Sequence, residues 1–400
     1  MKNIFILHPY RATYTDILEC ISEKHHYVLL IDEAKQASFA ENLPNNVELI
    51  TVACYQNNCR EEAENILKSH NIDAIIALDE FDIILASELR EKYCIQGQGK
   101  AEATIFRDKK IMIQRVKELG FDVPESQVVS SLSEVKEFLN RYQDIIVKPL
   151  SGAGSVNTFR VQSIHDISKL AIDAHSYQKQ FIVQNYLDSE IYHIDGFLSN
   201  GEIIYCEPSK YLYNPLLIKQ GISAAAISLD YASDDYKKLV DYASLLTKKL
   251  CPNGTFLFHL EVFYDLNHIT FLEIACRMGG ARIRQNLEYK LSINPIKLLI
   301  DSISGDELPE LANQHQNTGW LLTAKKAGTI SALPLLTDKM KQDFSIFDYV
   351  EYVKVGQKLN KAYHSADAVI GLSLWGKSFE ETKRKLLSVE KLLLKYTRYS

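Results

Sequence analysis

Short apolar runs alternate with amphipathic stretches through the first hundred residues. Ile4–Leu7, Tyr27–Ile31, Val47–Val52 and Ala74–Leu78 are apolar or β-branched runs of strand length. Between them, the polar–apolar spacing over about 15–24 and 60–70 predicts helices. Strand and helix alternating at this interval predict a parallel sheet with helices on its faces.

The pattern then changes. DKKIMIQRVKEL, residues 108–119, reads as a helix closed by Gly120. An extended segment follows Pro124. A helix over 133–141, the strand Ile145–Lys148, the loop Pro149–Val156, the strand Thr158–Val161, a polar helix and the strand Phe181–Gln184 make a small α+β unit. Ile191–Leu198, Gly201–Cys206, Thr255–Tyr264 and Ile269–Ala275 are further strands, and Asn200-Gly201 is a hairpin signal. Asp234–Leu250 and Ser378–Tyr396 read as long helices, the second ending a mixed C-terminal stretch that begins near Gly319. A chain of 400 residues exceeds what one core accommodates. We divide it into an α/β unit at 1–105, a central region at 106–310 with a lid at about 120–185, and a mixed α+β segment at 311–400.

Composition narrows the function. The net charge of -6 argues against nucleic-acid binding, which needs a basic surface to release counterions. The start, MKNIFILHPY, fits a strand better than a signal peptide, and no apolar run is long enough for a membrane span. A cytoplasmic protein is expected, and the seven cysteines, without zinc or CxxC spacing, fit free thiols. The turn His8-Pro9-Tyr10-Arg11 lacks the glycines a dinucleotide pyrophosphate requires. Gln98-Gly99-Lys100 lacks the remaining parts of a P-loop.

Five features carry candidate chemistry. Glu261 and Glu273 sit in the apolar runs FLFHLEVF and HITFLEIA, and a hairpin folded about Asn267 sets them opposite each other on one face. Like charges directly across a strand pair are destabilising unless something neutralises them. A divalent cation such as Mg2+, which takes one or two carboxylates plus phosphate oxygens, suits the pair. Arg277 follows on the same strand, with Gly279 and Gly280 after it and then Arg282 and Arg284, forks suited to anionic oxygens. Lys148 ends the strand IIVKP, and the Ser151–Ser155 loop, SGAGS, follows with backbone able to wrap phosphate. Lys109 opens the helix after Asp108. VQNYLDSE, Val183–Glu190, joins the small unit to the next one. Each feature alone has a bland reading: edge-strand glutamates, a basic surface loop, a flexible turn, a helix-surface lysine, a linker.

In this order the pieces RDKKIM, IIVKPLSGAGS, VQNYLDSE, FHLEVF and FLEIACRMGG resemble the ATP-grasp superfamily across about residues 100–290, and the HLEVF and EIACR forms look most like its amino-acid ligase branch. The resemblance implies an ATP-grasp fold of the α/β class with an α+β lid, an N-terminal parallel α/β domain and a C-terminal mixed domain. It implies that Lys109 and Lys148 meet ATP phosphates and that Ser151, Gly152, Gly154 and Ser155 close over them. Gln184, Asn185, Tyr186 and Leu187 would line adenine, with Glu190 on the ribose. Glu261 and Glu273 would hold Mg2+ (or Mn2+). Arg277 and Lys148 would be catalytic, Arg277 steadying an acyl phosphate. His259, Gly279, Gly280, Arg282 and Arg284 are candidate substrate contacts. The implied activity joins a carboxylic acid to an amine, with amino acids as the expected substrates and ADP and phosphate released; a homodimer is a further expectation, and no nucleic acid or membrane partner is implied. Bicarbonate or a purine-pathway intermediate as substrate, or ATP binding without catalysis, stand as alternatives. Two positions depart from the family pattern. Ala275 stands where a metal-ligating Asn is common, which leaves the number of metal ions open, and Gln184 stands where many members have an acid.

Overall fold

A computed structural model describes residues 1–39, 43–170, 180–265, 268–312, 316–364 and 367–400. The first sheet is fully parallel. Its strands β1 (Asn3–His8), β2 (His26–Asp32), β3 (Val47–Val52) and β4 (Ala74–Ala77) lie in the order β3-β2-β1-β4. Phe5, Leu7, Val28 and Leu30 pack on the helix Tyr55–Ser69 on one face, and Ile4, Ile6 and Leu29 face the rest of the protein. Burial on both faces accounts for the unbroken apolar runs.

The second sheet is a small antiparallel one of β5 (Ser126–Val129), β6 (Ile145–Pro149), β7 (Phe159–Val161) and β8 (Phe181–Asn185), ordered β5-β8-β6-β7. The helix Leu132–Tyr142, capped by Ser131 and Glu134, closes its core.

The large sheet begins with β9 (Ile191–Ser199), β10 (Glu202–Tyr211), β11 (Ala224–Ser228), β12 (Phe256–Asp265) and β13 (His268–Ala275). The C-terminal stretch adds β14 (Asn317–Ala324), β15 (Gly328–Ala332), β16 (Ile346–Glu351), β17 (Lys358–Leu359), β18 (Ala368–Gly376) and β19 (Arg398–Tyr399). Eight of these form one antiparallel sheet, ordered β13-β12-β9-β10-β11-β14-β18-β16, while β17-β15-β19 make a small separate sheet. The large sheet therefore runs without a break through strands on either side of residue 310.

Two local outcomes depend on tertiary contacts. The sequence predicted one helix from about Thr15 to Lys24. The structure has two short helices, Ala12–Thr15 and Ile17–Cys20, broken at Asp16, which is left-handed at φ 51°. The Asp16 carboxylate is 2.7 Å from Arg284, and Asn294 donates to the Thr15 carbonyl at 2.9 Å, so distant partners fix the break. The second case is the β12–β13 hairpin. Asn267, about which the fold-back was expected, lies outside the described residues. From Asp265–His268 to Val262–Phe271 the strands keep one register; Leu272 is then bulged, and Glu261 pairs with Glu273. Without that extra residue Glu261 would face Leu272, and the two acids would point to opposite sides of the sheet.

Several helices went unmarked in the sequence reading. Ile83–Lys92, Lys100–Ile105, Ile283–Leu291 and Pro295–Ser304 are short and pack in the cores between sheets. Among the described residues no helix is long and apolar enough to cross a membrane. The seven cysteines are free thiols, five of them buried.

Asp82 is buried at the N-terminal end of the helix Ile83–Lys92 and accepts a hydrogen bond from the Tyr55 hydroxyl at 3.0 Å. Burial, reinforced by the charge of Asp79, pushes its carboxyl up to about 7. A folded-state value above the unfolded one means that this group's stabilisation is complete only below its ordinary value of 3.8 and is lost progressively as pH rises from there to about 7. Asp82→Asn, which keeps the acceptor for Tyr55, is expected to raise stability at pH 8 by about 1–3 kcal/mol and by a clearly smaller amount at pH 5. Urea unfolding at the two pH values checks this.

Candidate functional site

The three main sheets surround one cavity of about 1690 Å³. Glu261 and Glu273 both line it, side by side on β12 and β13. Neutral and cationic donors surround them. Lys109 places its ammonium 2.7 Å from Glu273 Oε1 and 3.3 Å from the Gly152 carbonyl. It reaches there because Asp108 caps the helix by accepting from the Lys110 and Ile111 amides, which starts the helix at Lys109. The Tyr211 hydroxyl donates to Glu261 Oε1 at 2.9 Å, and His259 Nε2 is 3.5 Å from the same oxygen. Burial raises the Glu261 carboxyl, but the bonds and charge from His259 prevail and hold it down at about 2.

Behind this pair lies a chain of buried groups. Asp195 uses both oxygens, one 2.9 Å from His259 Nδ1 and the other 2.5 Å from His193 Nδ1. Burial alone would lower His259, but Asp195 and Glu261 raise it to about 10. The three ligating atoms of His193, Asp195 and His259 lie within 4.8 Å of one another. Both Asp195 oxygens are already engaged by imidazoles, so hydrogen bonding accounts for this cluster without a metal. The Glu261–Glu273 pair, half-buried on the cavity wall, offers hard oxygen donors, and its chemistry fits Mg2+. Gly279 sits against the chain: a Cβ there would stand 2.5 Å from Asp195 Oδ1 and 2.8 Å from His259 Nδ1. Gly280 has open space instead.

Lys148 is buried in β6 and lines the cavity, and no described residue lies within hydrogen-bond or ion-pair distance of its ammonium. Burial lowers it to about 8, against the pull of Glu273. In the loop that follows, Gly152, Gly154 and Ser155 reach the cavity, whereas Ser151 is exposed and off its wall. Gly154, Ser155 and Asn157 are left-handed, at φ 62°, 57° and 54°. Gln184, Asn185, Tyr186 and Leu187 line the cavity, and Gln184 Nε2 and Asn185 Oδ1 are buried without a partner. Glu190 is off the wall and paired to Lys210 at 2.6 Å.

The arginines differ in what holds them. Arg277 donates from Nε to Glu80 and from Nη1 to the Met278 carbonyl at 2.7 Å. Burial lowers it, but Glu80 holds it above its ordinary value. Arg282 is clamped by Asp348, with Nε 2.7 Å from Oδ2, and Arg284 lies 2.7 Å from both Asp16 and Glu288. Both line the cavity, and both are already neutralised.

Sequence reasoning missed Glu80. It stands just after β4, 5% exposed, and binds both Arg107 and Arg277. LDEFD reads as an ordinary polar turn, and only the fold reveals two arginines converging on it. Glu80→Gln leaves two buried guanidinium groups short of charge. It is expected to cost about 3 kcal/mol, whereas Glu88→Gln, in the exposed pairs with Arg60 and Lys100, costs under about 1 kcal/mol. Denaturant unfolding of the two variants measures the contrast.

With this geometry in hand, likeness to known proteins is informative. The family model for the prokaryotic glutathione synthetase ATP-grasp domain matches residues 109–206. The L-arginine-specific L-amino acid ligase of Bacillus subtilis is 27% identical over 238 residues, 57% of each protein, so the match spans little more than half of that relative. The crystal structure of an L-amino acid ligase from Bacillus licheniformis superposes with a TM-score of 0.79 at 14% identity, covering 100% of this chain and 99% of that one. A carboxyaminoimidazole ribonucleotide synthase from Aspergillus clavatus, complexed with ATP, gives 0.73 at 12% identity and 99% coverage of both chains. At such identities the structural likenesses speak for the fold. The chain superposes end to end on such proteins and encloses a carboxylate pair and two lysines between two antiparallel sheets, so its fold is the ATP-grasp fold.

Proposed function

We propose that the protein is an ATP-dependent carboxylate–amine ligase that acts on amino acids through an acyl phosphate. The observation that carries this reading is Lys148: a buried cation with no ion-pair partner among the described residues, on the wall of a cavity that also presents two carboxylates. A lysine so placed calls for an anionic ligand, and two acids side by side call for a cation. Magnesium nucleotide supplies both at once. The ligase named as specific for L-arginine, similar over part of its length, supports the amino-acid class.

In this reading Lys109 and Lys148 bind phosphate oxygens, and the Gly152–Ser155 backbone covers them. Gln184 Nε2 and Asn185 Oδ1, buried and unpartnered, suit the polar edge of a base. Glu261 and Glu273 hold Mg2+, which when bound neutralises phosphate charge. A substrate carboxylate oxygen attacks the γ-phosphorus, the new O–P bond forms and ADP departs. The amine nitrogen then attacks the acyl carbon, the C–O bond to phosphate breaks, and the nitrogen gives up a proton. Arg277, fixed by Glu80, faces the charge that develops on the phosphoryl oxygens. Closure of the glycine loop keeps water from the acyl phosphate.

The test is ADP release with MgATP against pairs of amino acids. Release should require both an acid and an amine, and Glu273→Gln should reduce it by at least about 100-fold. ADP formed at the same rate without any acid sinks the proposal, and release dependent on bicarbonate moves the protein to another branch of the superfamily.

Lys148 adds a pH signature. Its lowered value means that the free site is charged only below about 8, and a bound polyphosphate restores the charge. Affinity for a non-hydrolysable MgATP analogue should be level near pH 7 and weaken as pH rises through 8. Binding at pH 9 should take up protons, visible by calorimetry in buffers of different ionisation enthalpy. Lys148→Arg, which does not titrate in this range, should flatten the profile.

A further inference from the structure

The wall that the N-terminal sheet contributes to the cavity includes the segment after β1, with Tyr10 in its turn and Tyr14 in the helix Ala12–Thr15, and the loop after β4 carrying Asp79. Three arginines of the cavity already have acids: Arg277 has Glu80, Arg282 has Asp348, and Arg284 has Asp16 and Glu288. Asp79 is the reverse, an acid without a cation. Its Oδ2 accepts from the Tyr10 hydroxyl and its Oδ1 accepts from the Phe81 amide at 2.9 Å. Neither donor is charged. Among the described residues no lysine, arginine or histidine nitrogen forms a salt bridge with it, although Arg11 and Lys35 line the same cavity.

Two tyrosine rings stand on one side of this carboxylate. Tyr10 stacks on Tyr14 with ring centroids 4.5 Å apart, and Tyr352 lines the same cavity. A carboxylate that lacks a cation, beside aromatic faces that attract one, is complementary to a protonated primary amine. Glu80, its neighbour in sequence, holds Arg277, so one loop sets an anionic site beside a cationic one. The two charged ends of a zwitterion require that arrangement.

We propose that Asp79 seats the ammonium group of a substrate, so that the cavity takes an amino acid in preference to a plain carboxylic acid or bicarbonate. The inference rests on the ligase reading and names the residue by which its site selects an amino group.

Thermal shift tests it on the full chain with Mg2+ and a non-hydrolysable ATP analogue. The probes are the twenty common L-amino acids, each beside its des-amino carboxylic acid. At least one amino acid should raise the melting temperature while its des-amino partner does not. Asp79→Asn, whose oxygen still accepts from the Phe81 amide and whose amide nitrogen can donate to the Tyr10 hydroxyl oxygen, should weaken that amino acid's binding by about tenfold or more. The nucleotide-induced shift should survive in this variant and so report that it is folded. Equal shifts in wild type and Asp79→Asn overturn the proposal, as does a panel in which only acids without an amino group stabilise, or in which nothing does. ADP release that depends on some acid would in each of those cases leave the ligase reading standing, so the two failures are distinct.

Discussion

Two glutamates held face to face on neighbouring strands are the constraint from which the rest of the cavity follows. At the separation of opposed strand residues, two carboxylates repel unless their surroundings supply positive charge or proton donors. The protein supplies both from distant parts of the chain. Lys109 reaches Glu273 from the start of a helix, and Tyr211 and His259 reach Glu261 from strands of the large sheet. The bulge at Leu272 is the geometric condition for all of this, because it turns both acids to the same face.

The supporting shell shows which acid is fixed and which is free to respond. Glu261 is braced by Tyr211 and by the His259–Asp195–His193 chain, so it stays ionised well below neutral pH. Glu273 has one strong partner, the Lys109 ammonium, and that partner also touches the glycine loop. A cation entering between the acids therefore meets one rigid ligand and one whose bond can be exchanged. On the other side, Glu80 extends from the N-terminal sheet to hold Arg277. The N-terminal unit is thus part of the chemistry of the cavity as well as one of its walls.

Most of the strands and the identity of the central residues were legible because they are local signals. Apolar alternation marks β12 and β13, and the acid within each run is conspicuous for being out of pattern. Asp108 before Lys109 marks a helix start by capping chemistry alone. What stayed hidden depends on pairs far apart in sequence. Nothing local says that Leu272 bulges, that Asp16 breaks a helix to meet Arg284, or that Glu80 meets Arg277. Arg282 and Arg284 looked free as a basic run and are clamped by Asp348, Asp16 and Glu288. Glu190 read as a ribose acid because it follows the connecting strand, yet Lys210 draws it off the cavity wall. Charge in a sequence shows that a partner is needed, and only the fold shows whether the partner is internal.

The glycine loop brings these threads together. Its carbonyls are engaged: Gly152 by Lys109, and Ser155 by Lys219 from the segment between β10 and β11. The amides of Gly152, Ala153, Gly154 and Ser155 donate to no backbone carbonyl among the described residues. Three left-handed residues, Gly154, Ser155 and Asn157, turn the backbone within this short stretch. Two ammonium groups thus hold the loop by its acceptors and leave its donors unspent. A loop anchored in that way can meet a polyanion with its N–H groups at little cost in rearrangement. The cation that touches it, Lys109, is the same one that neutralises Glu273. Loop position and acid pair are therefore coupled through a single ammonium group, and any ligand that draws Lys109 away from Glu273 changes both together.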